Sequence, residues 1–467
     1  MRQQLLCAMA MALAWSAPQA VRAQDAELAK LRDEVRQLKQ AYESRLQALE
    51  QRLQEAEAKA GKAETSAARA ETTAADAGRR PAGESAFNPA VSMILQGTLA
   101  GSSSDPATYR ISGFVPSGGE VSPPKRGLSL AESELIVSAS IDPYFRGQLT
   151  AVLTPDNKLE VEEAFFQTLA LGDGFTLKGG RFLSGIGYQN EIHQHAWDFQ
   201  DAALVYKAFF GGKLNDDGLQ LKWVAPTDLF VELGAELGRG REFPGADRSR
   251  NAIANAGSLF GHVGGDIGAS TAWRAGLSYL RASPQNRSYD DLDAAGAGVS
   301  NSFSGRSRLW ALDGVLKWAP DGNPTYSNFK LQGEYFRRSE DGDLTYDTQA
   351  VSLGTQSGSY RSRQSGWYLQ GIYQFVPQWR AGYRYDRLNA GSTTIGLVDS
   401  GALTATNFPI LGGHSPKRHT VMVDWSASEF SRVRLQLARD YSRAGEPDNQ
   451  ILLQYVMSLG AHGAHRF

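Results

Sequence analysis

The ten residues Tyr144–Leu153, YFRGQLTAVL, decide the fold. Phe145, Gly147, Leu149, Ala151 and Leu153 share one face of an extended chain, while Arg146, Gln148 and Thr150 fall on the other. Side chains alternate across a strand, so this is a strand with one apolar and one polar face. The texture recurs in LQGTLA, SELIVSAS, TAWRAGLSYL and WRAGYRYD, and in FSRVRLQLARD, where Val433, Leu435 and Leu437 oppose Arg432, Arg434 and Gln436. Strands of about ten residues with this period are what a transmembrane barrel requires. A soluble sandwich alternates too. Trp223, Trp318, Trp379 and Trp425 at strand ends favour the membrane, because indole rings settle at the membrane–water interface.

The connections alternate between short and long. Short ones are Asp142-Pro143, Leu171–Gly174, Ala225–Asp228 and Val376–Gln378. Long ones cover about 100–131, 240–255, 283–306, 339–363 and 389–416. Outer-membrane barrels have short periplasmic turns and long outer loops. Counting by that parity predicts an all-β barrel of about sixteen antiparallel strands over 88–467. Asp201–Phe210, DAALVYKAFF, could pass for one more strand. That would put the turn APTD outside, so 183–216 is assigned to the third outer loop. The last segment, ILLQYVMSLGAHGAHRF, alternates through Ile451, Leu453, Tyr455, Met457 and Leu459 and ends at Phe467, as a terminal barrel strand does.

The rest of the chain fits a secreted protein. A basic start at Arg2 and the apolar run LLCAMAMALAWSA predict a signal peptide over 1–23. The single cysteine, Cys7, lies inside it, so the mature chain has no disulfide framework. Over 24–60, Leu28, Leu31, Val35, Leu38, Tyr42, Leu46, Leu49 and Leu53 step by threes and fours. This narrow stripe predicts an α-helical coiled coil between copies of the chain. Residues 61–87 form an Ala-rich linker. The formal net charge of −2 gives no reason to expect nucleic acid as a partner.

Several segments carry a resemblance. FNPAVSMILQGTLAG, VEEAFFQTLALGDGFTLKGGRFLSGIGYQN, HQHAWDFQDAAL and the ending SLGAHGAHRF resemble a group of Gram-negative outer-membrane porin-like proteins. Members are labelled phosphate-selective-porin-like or zinc-regulated outer-membrane receptors. The resemblance covers about 88–467 and implies a sixteen-stranded barrel in the outer membrane, a homotrimer, passing small solutes or ions. The receptor label fits poorly, since a coiled coil stands where such a receptor carries a folded plug.

A channel selects by diameter and by the charges on its wall. Strand phases aim Arg146, Lys178, Lys222, Arg274, Lys317, Lys330, Arg380, Arg384, Arg432 and Arg434 into the lumen. Glu134, Asp142, Glu232, Glu236, Asp313, Glu334, Asp386, Asp424 and Asp440 join them. Arg380 and Arg384, with Arg432 and Arg434 two strands on, form a basic ladder suited to phosphate or carboxylate. The alternative is a mixed wall with acidic groups opposite.

The third loop holds NEIHQHAWDFQD, with His193, His195, Trp197, Asp198 and Asp201. One reading is a constriction loop whose polar groups bond each other and the wall. The other is a Zn(II) site of His193, His195 and Asp198, helped by His262, His414 or His419, since zinc takes imidazole nitrogen and carboxylate oxygen. His462 and His465 are a weaker pair. No Ser-His-Asp set, phosphate loop or HExxH helix stands out, so no enzyme activity is expected. The expected function is a porin for small hydrophilic solutes or ions, possible anions such as phosphate included. The alternatives are a zinc-linked uptake protein and a structural tether from membrane to peptidoglycan through the coiled coil.

Overall fold

The computed structural model describes residues 39–40, 89–119, 121–245 and 254–460. The expected signal peptide, the linker, and the coiled coil apart from Lys39 and Gln40 lie outside the described residues, as do 461–467 with His462, His465 and Phe467.

Alternation becomes a closed sheet. The strands are β1 (Ala90–Ser102), β2 (Gly127–Leu130), β3 (Ser133–Ser140), β4 (Phe145–Leu153), β5 (Leu159–Thr168), β6 (Phe175–Leu183), β7 (Asn215–Val224), β8 (Phe230–Gly238) and β9 (Ala256–Ile267). They continue as β10 (Thr271–Ala282), β11 (Arg287–Leu292), β12 (Gly298–Trp318), β13 (Asn328–Tyr346), β14 (Gln356–Val376), β15 (Trp379–Ile395), β16 (Lys417–Ser428), β17 (Ser431–Arg443) and β18 (Glu446–Gly460). All pairings are antiparallel, and β18 returns to β1 in continuous register from Ser92↔Gly460 to Ser102↔Gln450. β2 and β3 pair successive parts of β1 and make one crossing. β11 pairs only the loop end of β12. Eighteen segments therefore make the sixteen crossings that turn parity predicts. Among the described residues, closure leaves no membrane-crossing strand with an unpaired edge, which a bilayer could not satisfy.

The two faces separate as the alternation requires. Inside, Gln96, Thr150, Gln220, Gln332, Thr420, Gln436 and Gln454 are buried. Outside, Leu95, Leu99, Leu221, Leu233, Leu277, Leu312, Leu369, Val423, Leu435 and Leu453 are exposed, bounded by rings such as Trp379 and Trp425, 6.2 Å apart. A continuous apolar belt of this extent has no place on a water-soluble monomer; it is the lipid-facing surface of a barrel. Wall height is uneven: β3–β8 run 8–10 residues and β12–β15 run 17–21. Above the tall side, Phe243, Phe303, Tyr346, Tyr360, Phe408 and Ile410 form a buried cluster that caps the long-loop end.

One expectation changes, and one loop segment gains a definite form. Asp142 does not face the lumen; its carboxylate accepts from the Tyr144 and Phe145 amides at 2.8 Å and forms an exposed turn. Within the segment assigned to the third outer loop, Leu204–Phe210 is a helix, ended by Gly211 at φ 69°. The local apolar run suits either element, and burial on all sides inside the barrel selects the helix.

Placing a cation in the belt tests the orientation. Leu435→Arg is expected to cost about 2–4 kcal/mol, read by denaturant unfolding of the barrel in lipid vesicles, whereas Leu435→Ile is expected to leave the midpoint nearly unchanged.

Candidate functional site

The third loop, 184–214, turns inward and crosses the lumen. Near its start the Ser184 hydroxyl and Gly185 amide donate to Glu236 on β8, at 2.6 and 2.8 Å. The Tyr188 and Gln189 amides donate to Glu334 on β13, both at 3.1 Å, and the Tyr206 hydroxyl joins them at 2.8 Å. Asn190 staples the two ends of the loop: its Nδ2 donates to the Ser184 and Leu214 carbonyls, and its Oδ1 accepts from the Leu214 amide at 2.7 Å. The helix buries Leu204, Tyr206, Phe209 and Phe210 against Phe336, with Tyr206 and Phe336 rings 5.1 Å apart. The first outer loop packs from the other side through Ile111 and Phe114.

Between these anchors, NEIHQHAWDFQD divides by charge. Gln194–Ala196 is a single 3-10 turn. It bends the chain enough to bring the His193 and His195 rings within 5.8 Å, tilted by 34°. His193 Nδ1 lies 3.0 Å from Glu162 and 3.2 Å from Glu134, and its Nε2 lies 3.0 Å from Glu163. His195 Nδ1 lies 2.9 Å from Glu134. Burial opposes protonation of His193. The charge of Glu162 and the bonds to Glu134, Glu162 and Glu163 outweigh it and hold the imidazole well above its usual pKa.

Three carboxylates meet one histidine because β5 carries a bulge. Thr150 pairs Glu163 while Ala151 pairs Val161, so Glu162 is the extra residue. A bulge re-aims side chains locally, and Glu162 and Glu163 both reach His193.

The other half of the segment meets cations. Asp198 receives Lys330 at 2.9 Å and Arg380 at 3.1 Å. Burial raises its pKa, and Lys330 and Arg380 more than reverse that, leaving it well below the carboxylate range. Asp201 is held by Arg384 at 3.1 Å, Lys207 at 3.1 Å and Arg418. Its pKa is likewise depressed despite burial, chiefly by Arg418. Arg434 donates to the Trp197 carbonyl at 2.7 Å and Arg432 to the His195 carbonyl. The Trp197 indole donates to the Ile192 carbonyl at 2.8 Å, and Lys213 stands 5.4 Å from its ring centre.

The candidate residues thus sort differently from the sequence expectation. Arg380, Arg384, Arg432 and Arg434 do line one side, but each is bonded to the loop, and Arg380 also forms a two-pronged pair with Asp424 at 2.6 and 3.0 Å. The ladder is a fastening rather than a bare track. Arg146 and Lys178 instead face a cavity of about 920 Å³ next to the short turns, with Lys222, Arg274, Glu163, Glu232 and both histidines. Asp198 is not beside the imidazoles as a third ligand; Lys330 and Arg380 draw it to the opposite wall. Glu134 takes that place, its oxygen and one nitrogen from each imidazole lying within 4.8 Å of one another. His262 pairs with Glu232 at 2.9 Å, His414 bonds the Tyr441 carbonyl, and His419 points outward against Tyr383, so none joins the cluster. Arg418 escaped the sequence reading although the parity that places Asp424 inside places it there too. Glu162 gave no such signal, since its orientation depends on the bulge.

No family model matches the chain. It is 28% identical over 416 residues to an uncharacterized protein of Aquifex aeolicus, covering 83% of this chain and 81% of that protein. Among solved structures it is similar to a loop-deletion mutant of the outer membrane protein OmpT of Vibrio cholerae, with a TM-score of 0.48, 10% identity, and 80% and 99% of the two chains covered. It is also similar to an anion-selective porin from Comamonas acidovorans, with a TM-score of 0.45, 10% identity, and 80% and 99% covered.

Releasing one end of the strut tests the fastening. Asp201→Asn leaves three buried cations short of a counter-charge, and breaking a buried pair costs roughly 3–5 kcal/mol. Amide hydrogen exchange over 196–210 is expected to speed up markedly in this variant while the barrel strands stay protected.

Proposed function

We propose that the protein is a porin-like channel of a Gram-negative outer membrane, through which small hydrophilic solutes or ions diffuse past the third loop. The observation that carries this reading is the loop's fastening across the lumen by opposite charges at its two ends. A loop fastened at both ends holds a fixed constriction across the lumen, which is what a selective channel needs. Preorganised wall charges then act on whatever enters. Arg146, Lys178 and Arg274 on the cavity wall support passage of anions, phosphate and carboxylates among them. Glu163, on the strand between those of Arg146 and Lys178, and Glu232 on β8 set acidic groups among these cations on the same wall. The low wall of β3–β8, apolar on its outer face, suits packing of copies into a homotrimer. The chain enters β1 at the short-turn end, which suits a periplasmic coiled coil reaching towards peptidoglycan. No chemical reaction is assigned to the site.

Planar-bilayer recordings test the channel. Discrete conductance steps are expected, with a reversal potential in unequal KCl that shifts towards anion preference. Asp198→Ala/Asp201→Ala is expected to raise single-channel conductance severalfold by freeing the loop. A silent wild-type protein, or a double variant with unchanged steps, would count against the reading.

A second reading rests on the convergence of Glu134, His193 and His195. Two imidazoles and a carboxylate are a donor set zinc accepts, and both histidines border the 920 Å³ cavity. In titration calorimetry, Glu134→Gln and His195→Ala are expected to lose Zn(II) binding, and Asp198→Asn to keep it. Equal affinity in all four proteins would dismiss the site.

A further inference from the structure

The outward face of the barrel changes character above the outer aromatic ring, on its tall side. Tyr279, Trp310, Tyr335, Trp367 and Tyr385 point outward on β10 and β12–β15, with Tyr279–Trp310 rings 4.7 Å apart and Trp367–Tyr385 rings 5.4 Å apart. Trp318 marks the opposite end of the belt on the same strand as Trp310. The eight residue steps from Trp310 to Trp318 span about 27 Å along the strand, roughly 20 Å of height at the usual tilt of such barrels.

One outward step nearer the long loops, the strands carry Arg281, Arg308, Arg337 and Arg387, with Arg363 one row higher. Register sets them side by side. Arg281 is directly opposite Arg308, Trp310 opposite Arg337, Ser339 opposite Arg363, and Arg387 opposite Lys417. Like charges directly across an antiparallel pair destabilise it, yet this face holds two such pairs. Among the described residues the ion pair on this face is Arg361 with Asp341, at 3.3 Å. A surface hollow of about 430 Å³ is lined by Arg308, Trp310, Arg337, Ser339 and Arg363. Towards the loop end of the low side the outward residues include Leu128, Leu159, Leu237 and Leu259. On that side the outward Arg181 is paired with Asp217 at 2.7 Å, so the like-charge register described here belongs to the tall half of the wall.

We propose that this arc binds the phosphorylated saccharide headgroup of an outer-leaflet lipid, with Arg308, Arg337 and Arg363 gripping phosphate beside Trp310. The position is the argument. Side chains one or two rows above the aromatic ring meet headgroups rather than acyl chains. Guanidinium forks match phosphate oxygens in pairs, and an indole offers a flat apolar face with a polar edge. A bound anionic headgroup also relieves the repulsion that the register imposes on Arg281 and Arg308. The proposal rests on the outer-membrane reading, with the long loops on the outer side, and is independent of conduction.

The test uses full-length detergent-solubilised protein titrated with bisphosphorylated lipid A, its dephosphorylated counterpart and inorganic phosphate, followed by native mass spectrometry and thermophoresis. Bisphosphorylated lipid A is expected to bind at least tenfold more tightly than the dephosphorylated lipid. Arg308→Ser/Arg337→Ser/Arg363→Ser is expected to abolish that preference while keeping wild-type conductance and heat-modifiable migration. If the triple variant does not fold, Arg337→Ser alone is expected to weaken binding at least threefold. Equal affinity for the two lipids, or unchanged binding by the folded variant, overturns the proposal. Displacement of lipid A by inorganic phosphate at matched concentration also overturns it, in favour of a free-anion site. A wild-type protein that conducts but does not discriminate between lipids rejects this inference alone; one that discriminates but never conducts rejects the channel alone.

Discussion

The interior depends on one opposition of charge. Carboxylates from β3 and β5 stand on one side of the third loop, and cations from β13 and β15–β17 stand on the other. The loop is built to match: His193 and His195 face Glu134, Glu162 and Glu163, and Asp198 and Asp201 face Lys330, Arg380, Arg384 and Arg418. Buried charges are costly unless paired and hydrogen-bonded. Each end of the strut therefore needs its wall, and each wall needs the strut. Displacing the loop would expose both charged walls at once, which gives its position a sharp minimum rather than a soft one.

This coupling bears on what a solute meets. The cations nearest the constriction are already engaged by Asp198 and Asp201, whereas on the cavity wall Arg146 is bonded to the neutral Gln148 at 2.9 Å and Lys222 to Glu191 at 2.7 Å. On the proposed channel reading, an anion entering from the short-turn side meets Arg146 first and the charges paired with the loop later. A site that attracts at the mouth and holds weakly at the narrowest point permits passage. The histidine cluster on the acidic side would change that field if a metal replaced its proton-mediated contacts, which links the second reading to the first through one set of residues.

Much of the architecture was legible in the chain. Parity of turns gave sixteen crossings because period-two alternation and turn length are local properties, written into each strand separately. Phe145/Arg146 and Leu435/Gln436 announce their faces without reference to any neighbour. Assignment of 183–216 to the third outer loop followed from the same count; its inward path across the lumen did not. The reading faltered where one residue broke the period. The bulge at Glu162 and the adjacent Phe165 and Phe166 defeat parity, and Phe165 lines the cavity while Phe166 faces outward.

By itself, then, the sequence determined which strand residues face lipid, which face the lumen, and how many times the chain crosses. Tertiary structure alone decided which charges meet. HxHxWD reads as one metal-binding string because its donors are adjacent along the chain. In the barrel its ends part, since the ring of strands sets carboxylates and arginines on opposite walls and a single 3-10 turn aims the imidazoles at one and the aspartates at the other. Pairing across a lumen depends on closure, register and a bulge, and none of these is a property of any one segment.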